Sequence, residues 1–440
     1  MSISRRHFLS IATTAAAGTL ILNGCSTPSS RGGGESTTTS ANAEAIELTP
    51  ETTPEVTTAK LGFIALTDAA PLIVAQEKGF FAKYGMTDVE VAKQASWGTT
   101  RDNLVLGSGG GGIDGAHILS PMPYLISEGI VTDGKKVPMY ILARLNVNGQ
   151  GISVANAHKD LGVQLDSSKL MSKVQETKSA GNQMKFAVTF PGGTHDLWMR
   201  YWLAAGGIDP NTDVSTIVVP PPQMVANMKT GTMDAFCVGE PWNAQLVNQK
   251  IGYTALTTGQ LWKDHPEKAF AMRADWVDAN PKAALAMIKA VQEAQIWCEA
   301  NKAEMIDIVS KRSWFGVPAA DIQDRLKGTF DFGDGRPVEE NSPHVMKFWA
   351  DNASYPYKSH DIWFMTEEQR WGYLPANTDV KALVDRVNRE DLWKEAAKAI
   401  GQEAAIPAST SRGVETFFDG VTFDPENPAA YLSSLKIKKA

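Results

Sequence analysis

Lys60-Leu61-Gly62-Phe63-Ile64-Ala65-Leu66-Thr67-Asp68-Ala69-Ala70-Pro71-Leu72-Ile73-Val74-Ala75-Gln76-Glu77-Lys78-Gly79 reads as a strand, a turn and a helix in succession. Leu61 to Ala65 is a short apolar run. Asp68 is a candidate helix cap, Pro71 is tolerated in a first turn, and Gly79 stops the helix. The alternation continues along the chain. Residues 89–92, 139–143, 186–189, 216–219 and 235–238 are strand-like, with helical patterns between them. This order predicts an α/β fold with mainly parallel sheets. In such sheets ligands collect at the carboxyl ends of the strands, on the loops that open the next helices.

Those loops read Ala65-Leu66-Thr67-Asp68, Ser96-Trp97-Gly98-Thr99-Thr100, Asn146-Val147-Asn148-Gly149-Gln150, Phe190-Pro191-Gly192-Gly193-Thr194-His195-Asp196 and Gly239-Glu240-Pro241-Trp242. Glycine, threonine and single aromatic, amide or imidazole groups dominate them, as suits a small polar ligand. The fourth loop opens a helix whose free N–H groups and dipole favour an anion. Thr194 can cap that helix, and His195 projects from its first turn. A glycine-rich turn with an ordinary cap fits the same residues, and no Gly-Lys-Ser/Thr follows, so this is not a phosphate loop.

The 440 residues suffice for two or three domain-sized units. The 42 basic and 49 acidic residues give a net charge of −7, which argues against nucleic acid and against a polybasic membrane patch as partners. At the start, Ser4-Arg5-Arg6-His7-Phe8-Leu9 leads an apolar stretch that ends in Leu22-Asn23-Gly24-Cys25. Residues 1–24 read as a signal peptide. The paired arginine suits twin-arginine export, or a basic leader for the general pathway. Cys25 is the expected lipidation site, and residues 25–58, rich in Ser, Thr and Gly, read as a lipidated flexible tether. Cys237 and Cys298 read as buried thiols. No Cys-x-x-Cys or His-Glu-x-x-His spacing occurs, so neither a metal nor a cofactor is expected.

Gly79-Phe80-Phe81 and Gly231-Thr232-Met233-Asp234-Ala235 resemble the solute-binding proteins of ABC importers. Longer runs are similar to their nitrate and bicarbonate branch, and above all to its cyanobacterial nitrate/nitrite-binding lipoproteins. These runs are residues 59–72, Gln94-Ala95-Ser96-Trp97-Gly98-Thr99-Thr100-Arg101-Asp102-Asn103, residues 190–196, Trp262-Lys263-Asp264-His265-Pro266-Glu267-Lys268-Ala269-Phe270 and Glu415-Thr416-Phe417-Phe418-Asp419-Gly420. The resemblance implies a two-lobed periplasmic solute-binding fold, type II-like, closing on one oxyanion. Lobe 1 would comprise residues 59–151 and 263–440, and lobe 2 residues 152–262. A hinge would lie between them, with a C-terminal helical extension on lobe 1 beyond about residue 312.

The same resemblance implies Trp97, Gln150, His195, Gly239 and Lys268 as the nitrate contacts. Nitrate has three acceptor oxygens and no proton, so its site is expected to hold donors only, with one net positive charge. Lys268 would supply the charge, and Lys268→Glu is expected to abolish binding with the fold intact. His195 can donate neutral or charged: a nearby anion favours the charged form and a helix start opposes it. Bicarbonate is the nearest alternative; its O–H would need an acceptor, and the matched run sets Lys268, not Glu267, at the ligand position. The implied role is the extracytoplasmic substrate-binding subunit of an ABC importer. It would be a monomer, held by its lipid on the periplasmic face of the cytoplasmic membrane, passing nitrate or nitrite to the permease and ATPase subunits. A pyrimidine-synthesising enzyme on the same fold is the remote alternative; that chemistry needs a cysteine cluster that is missing here, so no enzymatic activity is expected.

Overall fold

The apolar runs of the chain pair into two five-stranded sheets of matching design. The computed structural model describes residues 43–438. Arg5, Arg6 and Cys25, with the export and lipidation signals read from them, lie outside the described residues. In chain order the strands are β1 (Thr58–Phe63), β2 (Asp88–Lys93), β3 (Gly115–Leu119), β4 (Met139–Arg144), β5 (Gln150–Ala155), β6 (Lys185–Val188), β7 (Ser215–Val218), β8 (Ala235–Gly239), β9 (Gly252–Thr257) and β10 (Lys268–Arg273). The sheet orders are β2-β1-β3-β10-β4 and β7-β6-β8-β5-β9.

The sheets are mixed rather than uniformly parallel. β1 pairs parallel with β2 and β3, and β6 with β7 and β8. β10 runs against both of its neighbours, and so does β5. The cause is connectivity: β5 enters the second sheet straight from the first, and β10 returns from the second to the first. Each reversed strand therefore begins where its neighbours end. Lys268, the first residue of β10, lies opposite Leu119 at the end of β3. Gln150, the first residue of β5, lies opposite Gly239 at the end of β8.

The two crossings between the sheets run side by side. The Leu145 N–H donates to the Lys268 carbonyl at 2.8 Å, and the Asn148 N–H to the His265 carbonyl at 3.0 Å. Helices α1 (Ala70–Glu77), α2 (Trp97–Leu106) and α3 (Thr194–Ala205) each start just beyond a strand end. α1 buries residues 70 to 75 completely and packs on the long helix α4 (Pro281–Ala300). Cys237 in β8 and Cys298 in α4 are both buried free thiols.

Two expectations need correction. Residues 43–57, assigned to the tether by their composition, are tied to the body of the protein. The Ala43 N–H donates to the Lys78 carbonyl, and the Glu55 carboxylate accepts from the N–H groups of Lys282 and Ala283, capping α4. The C-terminal extension covers more than lobe 1. The helices Val380–Val387 and Glu390–Ala399 do pack on β4. The helix Ala320–Lys327, however, packs on Trp242–Asn248, and the Phe332 carbonyl accepts from the Thr254 N–H of β9, an edge strand of the second sheet. That edge would otherwise leave backbone donors open. In the helix α5 (Lys358–Trp371), Trp363 stacks on Trp198 of α3, with centroids 5.1 Å apart and planes 17° from parallel.

Candidate functional site

The ends of the two sheets face each other, and strand-end side chains meet there. Across the seam the Thr67 N–H donates to the Glu240 carbonyl at 2.8 Å, and Trp242 Nε1 to the Ala65 carbonyl at 3.0 Å. Between these contacts lies a solvent-inaccessible polar cluster. Its centre is Lys268, whose Nζ is 3.0 Å from Asp68 Oδ2 and 2.9 Å from Glu267 Oε1. The ammonium also sits 5.9 Å from the centre of the Trp97 ring, at the outer range of a cation–π contact.

The structure brings all five expected contacts together. Gln150 Nε2 donates to Asp68 Oδ2 at 2.9 Å, and its Oε1 accepts from His195 Nε2 at 2.8 Å. Gly239 lies against Gln150 so closely that an added Cβ would meet Gln150 Oε1 at 2.6 Å. Trp97 is the first residue of α2, whose start is capped by the Ser96 hydroxyl. Gln150, expected in a loop, instead opens a strand.

Within the cluster His117 and His195 are neutral donors. His117 Nδ1 accepts from the Ile64 N–H, so Nε2 carries the proton and donates to Asp68 Oδ1 at 2.6 Å. The Thr189 hydroxyl lies 2.6 Å from His195 Nδ1 and donates to it, leaving Nε2–H for Gln150. Burial pushes His195 well below its usual pKa, with the Lys268 charge adding to the effect. Burial lowers His117 too, and takes His265 down to about 3. Asp68 is held ionised: burial disfavours its charge, but Lys268, His117 and Gln150 together outweigh that cost. Burial raises Glu267, against the pull of Lys268 and the hydrogen bonds of Thr194 and Trp198.

Sequence reading missed several of these partners. Asp68 is no helix cap: the turn there has no side-chain cap, and the carboxylate serves Lys268. Thr194 does not cap α3 either; Gly193 is the N-cap residue, and the Thr194 hydroxyl donates to Glu267 Oε1. Trp198 Nε1 donates to Glu267 Oε2 at 2.8 Å. His117 lies inside β3 with no motif around it, whereas Glu267 was visible beside Lys268. A site of donors alone, with net positive charge, is therefore not what the chain builds. A fully buried ammonium needs counter-charge, and Asp68 and Glu267 supply it.

Every oxygen of both carboxylates already holds a protein donor. Asp68 accepts from His117, Gln150 and Lys268, and Glu267 from Thr194, Trp198 and Lys268. The indole Nε1 of Trp97 and the hydroxyl of Thr67 are buried without a partner among the described residues. The indole can only donate, and a free donor beside an ammonium suits an anion that only accepts. Among the described residues, no group of three or more His, Cys, Asp and Glu side chains could hold a metal ion, and no helix is long and apolar enough to cross a membrane.

A model of the NMT1-like family matches residues 52–312. The nitrate/nitrite binding protein NrtA of Synechocystis sp. is 65% identical over 439 residues, covering 99% of this chain and 98% of that protein. The bicarbonate-binding protein CmpA of Synechococcus elongatus is 47% identical, covering 100% of this chain and 99% of that protein. The crystal structure of the periplasmic nitrate-binding protein NrtA from Synechocystis superposes with a TM-score of 0.86 at 69% identity, over 88% of this chain and all of that one.

Proposed function

This chain belongs to the NMT1-like family, in the branch of the nitrate/nitrite-binding proteins, and from that membership we propose that it captures nitrate between its two lobes for import. It is the extracytoplasmic binding subunit of an ABC transporter and not an enzyme. In this reading the lobe boundary expected at residues 151/152 moves back before β5, so that the first lobe takes residues 59–144 with β10 onward and the second residues 150–257. The paired crossings at residues 145–149 and 258–267 are the hinge. Trp97, Gln150, His195, Gly239 and Lys268 hold the anion. Nitrite, a smaller anion, uses a subset of the same donors. The subunit passes its ligand to a permease driven by an ATPase, and acylation of Cys25 keeps it at the periplasmic face of the cytoplasmic membrane.

One observation carries nitrate over bicarbonate. The O–H of bicarbonate needs an acceptor, yet Asp68 and Glu267 already receive protein donors on every carboxylate oxygen. The buried indole Nε1 of Trp97, left without a partner beside the ammonium, can only donate. Calorimetric titration of the mature protein with nitrate, nitrite and bicarbonate tests this. Binding of the first two and not the third is expected; preference for bicarbonate overturns it. Mass spectrometry of the membrane-extracted protein reads the acylation of Cys25.

A further inference from the structure

The charges around Lys268 do not balance for an incoming anion. One ammonium faces two carboxylates, Asp68 at 3.0 Å and Glu267 at 2.9 Å, and none of the three side chains is reached by solvent. Among the described residues no other lysine or arginine forms an ion pair with either acid. The histidines touching them are neutral. The start of α3 offers only a partial positive charge, and Asp196 in its first turn offsets that. A monoanion beside Lys268 would therefore be a third negative charge on one cation, in a place without water. Such crowding is relieved by protonating one of the acids.

Geometry selects which acid. Every partner of Asp68 is an N–H donor: His117 Nε2, Gln150 Nε2 and Lys268 Nζ. The ammonium has no lone pair, the Ile64 N–H on Nδ1 holds His117 Nε2 as a donor, and Gln150 could turn its oxygen to Asp68 only by giving up the bond it accepts from His195. Glu267 Oε1 instead receives the hydroxyl of Thr194, which can switch from donor to acceptor. That same oxygen shares Lys268 and lies 3.5 Å from His195 Nε2, between two of the proposed nitrate contacts. We propose that nitrate enters with one proton from solvent, taken up by Glu267 at Oε1, while Asp68 stays ionised against Lys268.

The groups facing Glu267 fit this assignment. Lys268 and His265, whose Nδ1 is 3.7 Å away, come from its own segment. His195 comes from α3. Asp68 lies across Lys268 with His117 behind it, and the buried thiol of Cys237 faces Glu267 from β8. Burial already raises the Glu267 carboxyl, and Lys268 is the main influence lowering it. An anion next to Lys268 offsets that influence. A protonated Glu267 also removes the repulsion that an ionised one would exert on any entering anion.

The inference rests on reading this cluster as the nitrate site. The test is calorimetry of the mature protein with nitrate in phosphate and in Tris, buffers of unlike ionisation enthalpy. Uptake of about one proton per nitrate is expected, with affinity falling about tenfold per pH unit as pH rises above neutral. Glu267→Gln is expected to bind nitrate with equal heats in both buffers and an affinity independent of pH. Equal heats in the unaltered protein overturn the proposal, as does undiminished proton uptake in Glu267→Gln. Should that variant fail to fold, the buffer comparison and pH slope of the unaltered protein decide whether a proton enters. No nitrate heat at all refutes instead the assignment of nitrate as ligand.

Discussion

Lys268 Nζ lies 3.0 Å from Asp68 Oδ2, and the pair joins the first residue of β10 to the turn after β1 with no access to water. A buried pair of this kind is costly to break from one side, because the remaining charge stays desolvated.

That cost changes what substitution at Lys268 does. Lys268→Glu would set three carboxylates together in a dry interior, so the expectation that this variant keeps its fold does not survive. Lys268→Met removes the cation alone. It is expected to lose nitrate binding and to lower stability by about 3–5 kcal/mol, while His117 and Gln150 still hold Asp68. Denaturant titration and calorimetry of the same sample read both effects.

Trp97 separates binding from stability. Its Nε1 has no partner among the described residues, so Trp97→Phe strands no acceptor. A donor to a charged ligand contributes about 1.5–3 kcal/mol. Nitrate affinity is therefore expected to fall at least about tenfold with little change in thermal midpoint. A large fall in midpoint with unchanged affinity would assign Trp97 to packing alone.

Gly239→Ala tests the close approach of the two sheets at the site. The new Cβ would lie 2.6 Å from Gln150 Oε1 and 3.1 Å from Leu66 Cδ2. Gln150 must move, and its contact with His195 goes with it. The expected cost is about 1–3 kcal/mol of stability, together with weakened nitrate binding in calorimetry.

Acid should loosen the fold through its histidines. Burial lowers His117 and His195, and takes His265 and His360 to about 3. A lowered folded pKa means that the unfolded chain takes protons first. Stability is then lost as pH falls below the unfolded value of about 6.5, by up to about 1.4 kcal/mol per pH unit for each histidine. Glu267 and Glu368, both raised by burial, act in the opposite sense as they protonate. Thermal midpoints measured between about pH 7 and 4 should decline, and His265→Gln should flatten the decline.

The alternation of strand and helix, the family and the polar character of the strand-exit loops were legible along the chain, because they are local patterns of residue type. Trp97, His195 and Lys268 stand in the long matching runs, and Gln150 and Gly239 in strand-end loops, so all five were candidates before the structure brought them side by side. The antiparallel strands at Gln150 and Lys268 were not legible. Their direction follows from which sheet the chain has just left, and that is set by pairing between residues over a hundred positions apart, such as Lys268 and Leu119. For the same reason Asp68 passed for a helix cap and His117 drew no notice. A carboxylate's role depends on what lies opposite it, and Lys268 lies opposite Asp68 only once β10 has turned back into the first sheet. The sequence by itself determined which donors the protein owns. The tertiary structure alone decided that two acids share the ammonium among them, since only burial forces a charge to find its partner.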